Sequence, residues 1–464
     1  MARLVSAPPD RVRCGACPAV LASAGGGGPV PDLVVRGGIL ATSGGTAPGD
    51  LWIEGGRIAA VVPPGTPCDA AEVVDAAGCV VLPGAVDAHV HFRTPGLTHK
   101  EDWAAASAAA VAGGVTTVID MPNTVPPTTS AEALRAKAAQ VAGRSWCHYG
   151  FHGGVLRGGL GALPGLAEAG AAGFKVFLGE TTASLPPPEG PELREALAVL
   201  RDLGRRLAVH AEEGAYLGAA AAGPDLLAHG RVRPPEAEIW AVRRISALAR
   251  ETGAPVLVVH LSTAGGAAAV REARAAGADV QAEATPHHLL VTAEEAAAAG
   301  LGALARVNPP LRGAADREAL WAAVADGTVS QVGSDHAPHA PQEKAGPTPP
   351  SGFAGVQNTL PYLCGDPRLP LSLLVRLAAE GPARHFGLWP RKGHLAAGAD
   401  ADVAVLRVRA APGPPARQWS RNPDGPLLRL CGARADVVAT VVGGRVAFRD
   451  GAPCGEPRGR WVRP

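Results

Sequence analysis

The feature that most constrains the fold is a regular alternation of short β-branched runs with alanine-rich segments over about residues 85–380. Eight such runs occur, at 80–91, 115–121, 146–152, 173–178, 207–211, 255–262, 279–286 and 329–335. Helix-like segments lie between them, for example at 132–142, 236–252 and 264–276. Eight strands that are each followed by a helix predict a (β/α)8 barrel, for which about 250 residues are typical. A doubly wound open parallel sheet is the alternative.

The two ends of the chain share a different pattern, in which glycine pairs separate short apolar runs. The pairs are Gly37-Gly38, Gly55-Gly56 and Gly443-Gly444. Because glycine tolerates the positive φ angles of tight turns, this pattern is typical of β-hairpins. Neither end is large enough to bury a core alone, so we expect one small β-sandwich domain built from both chain ends. The predicted organisation is a flexible extension (1–30), the first part of the β-domain (31–84), the barrel (85–380), and the second part with a C-terminal tail (381–464).

The charge balance argues against several classes of partner. Lys and Arg number 43 and Asp and Glu number 42, so the net charge of +1 creates no field that would attract nucleic acid or an anionic membrane. We find no secretory signal and no apolar stretch that could span a bilayer. The eight cysteines are scattered, and only Cys14 and Cys17 have a C-x-x-C spacing. Free thiols and a cytoplasmic location are therefore expected.

Polar residues near the ends of five of the eight runs indicate chemistry. His89 and His91 are two apart, so on a strand both point to the same face. Active sites of barrel enzymes lie at the C-terminal strand ends. One histidine there is more often a structural residue than a ligand. Six candidate ligands in register, however, predict a metal centre: His89, His91, Lys175, His210, His260 and Asp335.

Several motifs in this frame carry a family resemblance. They include His89-Val-His-Phe-Arg-Thr-Pro-Gly96, Met121-Pro-Asn-Thr124, Asn308-Pro-Pro-Leu-Arg312 and Asp335-His-Ala-Pro-His339. Over about residues 33–450 the chain resembles the long bacterial and archaeal dihydroorotases of the binuclear amidohydrolase superfamily. The resemblance implies two Zn²⁺ ions bridged by a carboxylated Lys175 and a hydroxide. It places His89, His91 and Asp335 on the first ion, and His210 and His260 on the second.

The chemistry of a buried lysine is consistent with this resemblance. Burial disfavours the charged amine, and a neutral amine can take up carbon dioxide as a carbamate. The alternative is that Lys175 pairs with a carboxylate such as Glu180 or Glu212. Asp335 is the expected catalytic residue, which would move a proton from the attacking hydroxide to the departing amide nitrogen.

The resemblance also implies a set of substrate-binding residues. Arg93 lies two past His91, and a guanidinium there suits a substrate carboxylate, with help from Asn123 and His339. Asn308 is expected to donate to the pyrimidine ring. The alternatives are a structural salt bridge from Arg93 to Glu101 or Asp102, and a turn role for Asn308. The other histidines are interpreted as structural: His99, His148, His152, His229, His287, His288, His385 and His394.

The resemblance thus implies a zinc-dependent dihydroorotase that interconverts (S)-dihydroorotate and N-carbamoyl-L-aspartate in de novo pyrimidine biosynthesis. One segment, 351–357, departs from the family pattern and ends in Gln357, as in allantoinases. An allantoinase or hydantoinase-type cyclic amidohydrolase is therefore the alternative. Candidate partners are the small-molecule substrate, a second copy of the chain and aspartate carbamoyltransferase. Some inactive relatives act as scaffolds for that enzyme, but here every ligand position is filled.

Overall fold

The computed structural model describes residues 30–179, 185–219 and 223–464. Of the predicted extension, only Val30 is described, so Cys14 and Cys17 lie outside the described residues. Glu180 lies outside them as well. Within them, seventeen strands form two sheets. Five strands come first: β1 (Leu33–Thr42), β2 (Gly45–Glu54), β3 (Arg57–Val62), β4 (Glu72–Asp75) and β5 (Val80–Pro83). Eight follow: β6 (Ala85–Val90), β7 (Val115–Asp120), β8 (His148–Gly154), β9 (Gly173–Phe177), β10 (Leu207–His210), β11 (Val256–Val258), β12 (Val280–Ala284) and β13 (Val329–Val332). Four more complete the set: β14 (Val403–Gly413), β15 (Ala433–Val442), β16 (Arg445–Arg449) and β17 (Ala452–Pro453).

The strands β6 to β13 form the predicted barrel. They lie side by side in chain order, and every pair is parallel. The circle is closed by a parallel bridge between Val90 and His336, with the amide of His91 donating to the carbonyl of His336 at 2.7 Å. The (β/α)8 barrel with a second β-domain is thus confirmed. The open-sheet alternative is wrong.

Fifteen α-helices cover the barrel and join the two sheets within the described residues. Side chains accept from the first turn of several of them: Asp102 caps the first, Ser130 the second and Thr263 the seventh. None is long and apolar enough to cross a membrane. The helices are α1 (Trp103–Ala112), α2 (Ala131–Val141), α3 (Leu163–Ala169), α4 (Pro191–Asp202), α5 (Leu226–Val232), α6 (Pro235–Thr252), α7 (Ala264–Ala275), α8 (Pro286–Leu290), α9 (Ala293–Ala298), α10 (Ala314–Ala325), α11 (Pro341–Lys344), α12 (Thr359–Leu363), α13 (Leu371–Val375), α14 (Gly381–His385) and α15 (Pro426–Leu430). Short 3₁₀ turns lie at Leu160–Ala162, Gly214–Tyr216 and Gly302–Ala305, and a π turn at Arg376–Glu380.

The second sheet contains nine strands from both chain ends, in the order β17-β16-β15-β14-β5-β1-β2-β3, with β4 beside β1. Its pairs are antiparallel, except that β1 runs parallel to β4 and β5. The predicted turns at Gly55-Gly56 and Gly443-Gly444 are confirmed. The predicted turn at Gly37-Gly38 is wrong. There β1 continues through a bulge between Val35 and Gly38. Glycine is required at position 38, because a Cβ there would lie 2.4 Å from a methyl group of Val81.

The predicted first run, 80–91, is two strands rather than one. Val80–Pro83 belongs to the second sheet and Ala85–Val90 to the barrel. The chain crosses between the sheets at Gly84, where a Cβ would lie 2.2 Å from the side chain of Thr116. A glycine is required for this close approach, so the break occurs there.

The barrel is closed at its N-terminal end by apolar side chains. Phe386, Leu388 and Val462 pack there against small and aliphatic residues of the barrel strands. The C-terminal tail forms part of this plug, because Trp461 pairs with Tyr149 at the start of β8. The polar residues of the strands are therefore left to the opposite, C-terminal end.

Candidate metal centre and substrate cavity

A cavity of about 270 Å³ lies at the C-terminal end of the barrel. Its wall combines the predicted ligands with residues from the loops that follow the strands. Among the described residues that line it, Asp335 is the only carboxylate. The polar lining residues are His89, His91, Arg93, Asn123, His210, His229, Arg233, His260, Arg306, Asn308, Asp335, Thr348 and Ser351.

Three of the predicted ligands form one cluster. The Nε2 atoms of His89 and His91 lie 3.3 and 3.2 Å from Oδ1 of Asp335. All three residues are buried, and their ligand atoms are close enough to share one metal ion. Metal–ligand bonds of about 2.0–2.1 Å in a tetrahedral site separate the ligand atoms by about 3.3 Å. The spacing of these three atoms fits such a site.

The other two histidines face each other beside this cluster. Nδ1 of His210 and Nε2 of His260 are 2.9 Å apart, and the ring centroids of His89 and His260 are 5.2 Å apart. Burial lowers the pKa of His210 and places that of His260 well below its ordinary value. Neutral imidazoles offer lone pairs, which is the form that binds metal. The pair therefore suits a second cation next to the first.

Lys175 lies in the middle of β9 and is fully buried. Its Nζ atom has no hydrogen-bond partner within the described residues. Burial lowers its pKa to about 7, although Asp335 and Glu283 oppose the shift. The alternative pairing with Glu212 is wrong, because that carboxylate binds Arg233 at 2.6 Å. The donor set and the unpartnered amine fit a metal centre that His89, His91, Asp335, His210 and His260 would hold together with a modified Lys175.

The backbone is strained at three of these positions. Arg93, His260 and Asp335 have φ angles of 61°, 41° and 47°, in the left-handed region that residues other than glycine rarely adopt. His260 and Asp335 follow β11 and β13, and both side chains line the cavity. Strain of this kind is typically found at functional sites, where the surrounding structure holds it in place.

Glu283 is a functional candidate that the sequence interpretation missed. It is fully buried in β12, and its Oε1 atom lies 2.6 Å from Nδ1 of His89. The same oxygen accepts the backbone N–H of His260 at 3.2 Å, and Gln331 donates to the other oxygen at 2.6 Å. A carboxylate behind a ligating histidine fixes its tautomer and raises its basicity. One signal was available, since an acidic residue between two alanines in a core strand requires a partner.

Changing Glu283 to glutamine is expected to weaken zinc binding by about 10–100-fold, because a neutral amide polarises the imidazole of His89 less than a carboxylate does. Titration of the metal-free protein with zinc against a competing chelator measures this affinity. The exposed Glu272 of α7 provides the matched control, Glu272→Gln. Equal zinc affinities for the two variants would contradict the role given to Glu283.

Arg93 is 2% exposed and lines the cavity next to the ligand cluster. Its Nε donates to the carbonyl of Pro338, and its Nη2 lies 3.2 Å from Nε2 of His339. Burial lowers its pKa to about 10, which leaves it charged at neutral pH. The predicted alternative, a salt bridge to Glu101 or Asp102, is wrong. Glu101 accepts from the 420–421 segment, and Asp102 caps α1 and pairs with Arg421.

The other predicted substrate residues lie in different positions. The side-chain oxygen of Asn123 lies 2.7 Å from Nδ1 of His91, at the cavity wall. Asn308 also lines the cavity. His339 is buried behind the wall, where Lys100 approaches its Nδ1 at 3.1 Å. His339 contacts Arg93, but it is not among the described residues that line the cavity.

The barrel, the candidate ligand cluster at its C-terminal end and the similarity to known cyclic amidohydrolases together identify a hydrolase that acts on cyclic amides. The chain belongs to the amidohydrolase family, whose sequence model matches residues 80–447. It is 37% identical over 457 residues to an allantoinase from Rubrobacter xylanophilus, which covers 93% of this chain and 98% of that protein. It is 41% identical over 371 residues to a dihydroorotase from Halobacterium salinarum, with 77% and 83% coverage. Among solved structures it is similar to an L-hydantoinase (dihydropyrimidinase) from Arthrobacter aurescens, with a TM-score of 0.87, 29% identity, and coverage of 94% and 100%.

Proposed function

We propose that this protein is a dihydroorotase, which reversibly hydrolyses (S)-dihydroorotate to N-carbamoyl-L-aspartate with two zinc ions and a carboxylated Lys175. The observation that carries this choice is the environment of Arg93. Its guanidinium is buried at the cavity wall, and no carboxylate forms an ion pair with it within the described residues. Burying a charge is costly unless a counter-charge compensates for it. An anionic substrate would provide that counter-charge.

The three candidate substrates differ in this respect. Dihydroorotate has a carboxylate beside the ring, whereas allantoin and unsubstituted hydantoin are neutral. His339 does not supply that counter-charge. Burial and the charges of Arg93 and Lys100 hold the pKa of His339 far below its ordinary value, so it is neutral. Its Nε2 atom lies 3.0 Å from the carbonyl of Ser351 and donates there, so it cannot also accept from Nη2 of Arg93, 3.2 Å away.

Each residue at the cavity wall has an expected role in the proposed reaction. When bound, two dications would polarise the scissile carbonyl and lower the pKa of the attacking water. Asp335 would take the proton of that water on its carboxylate and transfer it to the departing amide nitrogen. Arg93 would hold the substrate carboxylate, and Asn308 would donate to the ring. The reverse reaction uses the same groups in the opposite order, as ring closure requires.

Gln357, the residue shared with allantoinases, does not bear on the substrate. Its side-chain amide donates to the carbonyl of Arg417 at 2.8 Å and accepts the backbone N–H of Trp419 at 2.9 Å. It is not among the described residues that line the cavity. Its contacts attach the 417–419 segment to the barrel.

Allantoinase is the second candidate, and the comparisons favour it. The allantoinase from R. xylanophilus covers more of this chain than the dihydroorotase from H. salinarum does. Purified, zinc-loaded protein incubated separately with dihydroorotate, allantoin and hydantoin separates the candidates by the rate of ring opening. We expect dihydroorotate to be the preferred substrate. Hydrolysis of allantoin without hydrolysis of dihydroorotate would overturn the proposal.

Substituting Arg93 with glutamine tests directly whether its buried guanidinium binds the substrate carboxylate. We expect KM for dihydroorotate to rise by about 100-fold, because a charge-assisted hydrogen-bond pair to the carboxylate is lost. Any activity on neutral hydantoin should change much less. Steady-state kinetics on both substrates measure the contrast. A similar loss on the charged and the neutral ring would show that Arg93 supports the site without binding a carboxylate.

A further inference from the structure

Two side chains of the cavity wall, His229 and Asn308, are hydrogen-bonded to each other, and this bond determines the orientation of the Asn308 amide. His229 lies on α5, is 2% exposed and lines the cavity. Its Nε2 atom is 3.0 Å from the carbonyl oxygen of Val307 and 2.9 Å from the side-chain oxygen of Asn308. Two acceptors therefore share one ring nitrogen.

The backbone contact fixes the tautomer of His229. The carbonyl of Val307 can only accept a hydrogen bond, so Nε2 of His229 must carry a proton. The same N–H then requires an acceptor from Asn308, which is its side-chain oxygen. The NH₂ group of Asn308 consequently points away from His229. It has no hydrogen-bond partner within the described residues.

The surroundings keep this arrangement in place. Nδ1 of His229 has no hydrogen-bond partner among the described residues. Burial lowers the pKa of His229 to about 4, and the charges of Arg306 and Arg233 act in the same direction. The ring is therefore neutral near pH 7. Its single proton stays on Nε2, where both oxygens accept it.

We propose that His229 is a positioning residue that fixes the side-chain amide of Asn308, so that the NH₂ group donates to a ring carbonyl oxygen of the cyclic amide. Without His229, the amide could rotate and present its oxygen to that carbonyl. The pair thus selects for a ring carbonyl acceptor at this wall of the cavity. The inference rests on the proposed function only in placing a cyclic amide here, since dihydroorotate, allantoin and hydantoin all have ring carbonyls.

A double-mutant cycle tests the proposal. His229→Leu and Asn308→Ala should each raise KM by about tenfold, the equivalent of one hydrogen bond, with kcat changed by less than about threefold. The double variant should be no worse than Asn308→Ala alone, because both changes remove the same interaction. Asn308→Asp keeps the acceptor for His229 but loses the donor, so its KM should also rise. His394→Leu is the matched control, because His394 is not among the described lining residues and its ring lies against Pro390 and Trp389.

Zinc content and melting temperature of each variant complete the test, because a merely structural role would change them. An additive, hundredfold rise in KM for the double variant would overturn the proposal, and so would an unchanged KM for His229→Leu. The cycle is run on whichever cyclic amide the wild-type protein opens. Activity on allantoin alone would refute the dihydroorotase assignment and leave this test intact.

Discussion

An Asp335→Asn variant is expected to bind metal and to lose about a thousandfold in kcat, within the 10²–10⁴ range of a lost general acid–base group. Asparagine keeps an oxygen at the position that lies 3.2–3.3 Å from the two histidine nitrogens. It cannot accept a proton from water and release it to the amide nitrogen. No other carboxylate lines the described part of the cavity, so none of the described lining residues can replace it.

The charge state of Asp335 supports this expectation. Burial alone would raise its pKa, but His89 and His91 outweigh that effect and hold the pKa below its ordinary value. The group is therefore an anion before the reaction starts. Metal content by elemental analysis, melting temperature and kcat are the three measurements. Asp366→Asn removes a buried carboxylate that pairs with Arg368 away from the cavity, so it should lower stability without affecting kcat. Normal turnover by Asp335→Asn would contradict the assigned role.

The barrel could be predicted from the sequence because its strands are buried on both faces. Such strands are continuous apolar, β-branched runs; seven of the eight predicted runs contain a barrel strand, and the run 146–152 overlaps β8. The candidate ligands were also predictable, because a polar residue at the end of a buried strand stands out in such a run. The cluster of His89, His91 and Asp335 lies where that argument placed it.

The errors have a common physical cause, which is contact between distant parts of the chain. Gly84 and Gly38 resemble any other glycine locally, and their roles depend on Thr116 and Val81. The partner of His89, Glu283, is 194 residues away in sequence. His229 likewise meets Asn308 only because α5 packs beside the loop after β12. Pairings of this kind cannot be derived from spacing along one sequence.

A Lys175→Met variant is expected to lose activity by more than about a thousandfold, because it removes the buried, unpartnered amine that would form the carbamate of the proposed function. Methionine has a similar shape and suits a buried site, so the barrel should remain folded. Measurements of kcat, zinc stoichiometry and melting temperature separate these effects. Full activity of this variant would contradict the proposed role of Lys175.

The role of Lys175 can also be tested on the wild-type protein, by measuring whether the metal-free protein needs carbon dioxide to regain activity when zinc is added. The amine of Lys175 and CO₂ would combine to a carbamate and release one proton, and only the neutral amine can react. Since burial lowers the pKa of Lys175 to about 7, the rate of reactivation of metal-free protein by zinc and bicarbonate should rise between about pH 6 and pH 8. An ordinary lysine would place that rise above about pH 9. Reactivation should fail in CO₂-free buffer. Lys392→Met is the control: it removes a buried lysine paired with Asp400 and Asp402, and its reactivation should still depend on pH and on CO₂. Full reactivation without CO₂ would exclude the carbamate and leave Lys175 without its proposed function.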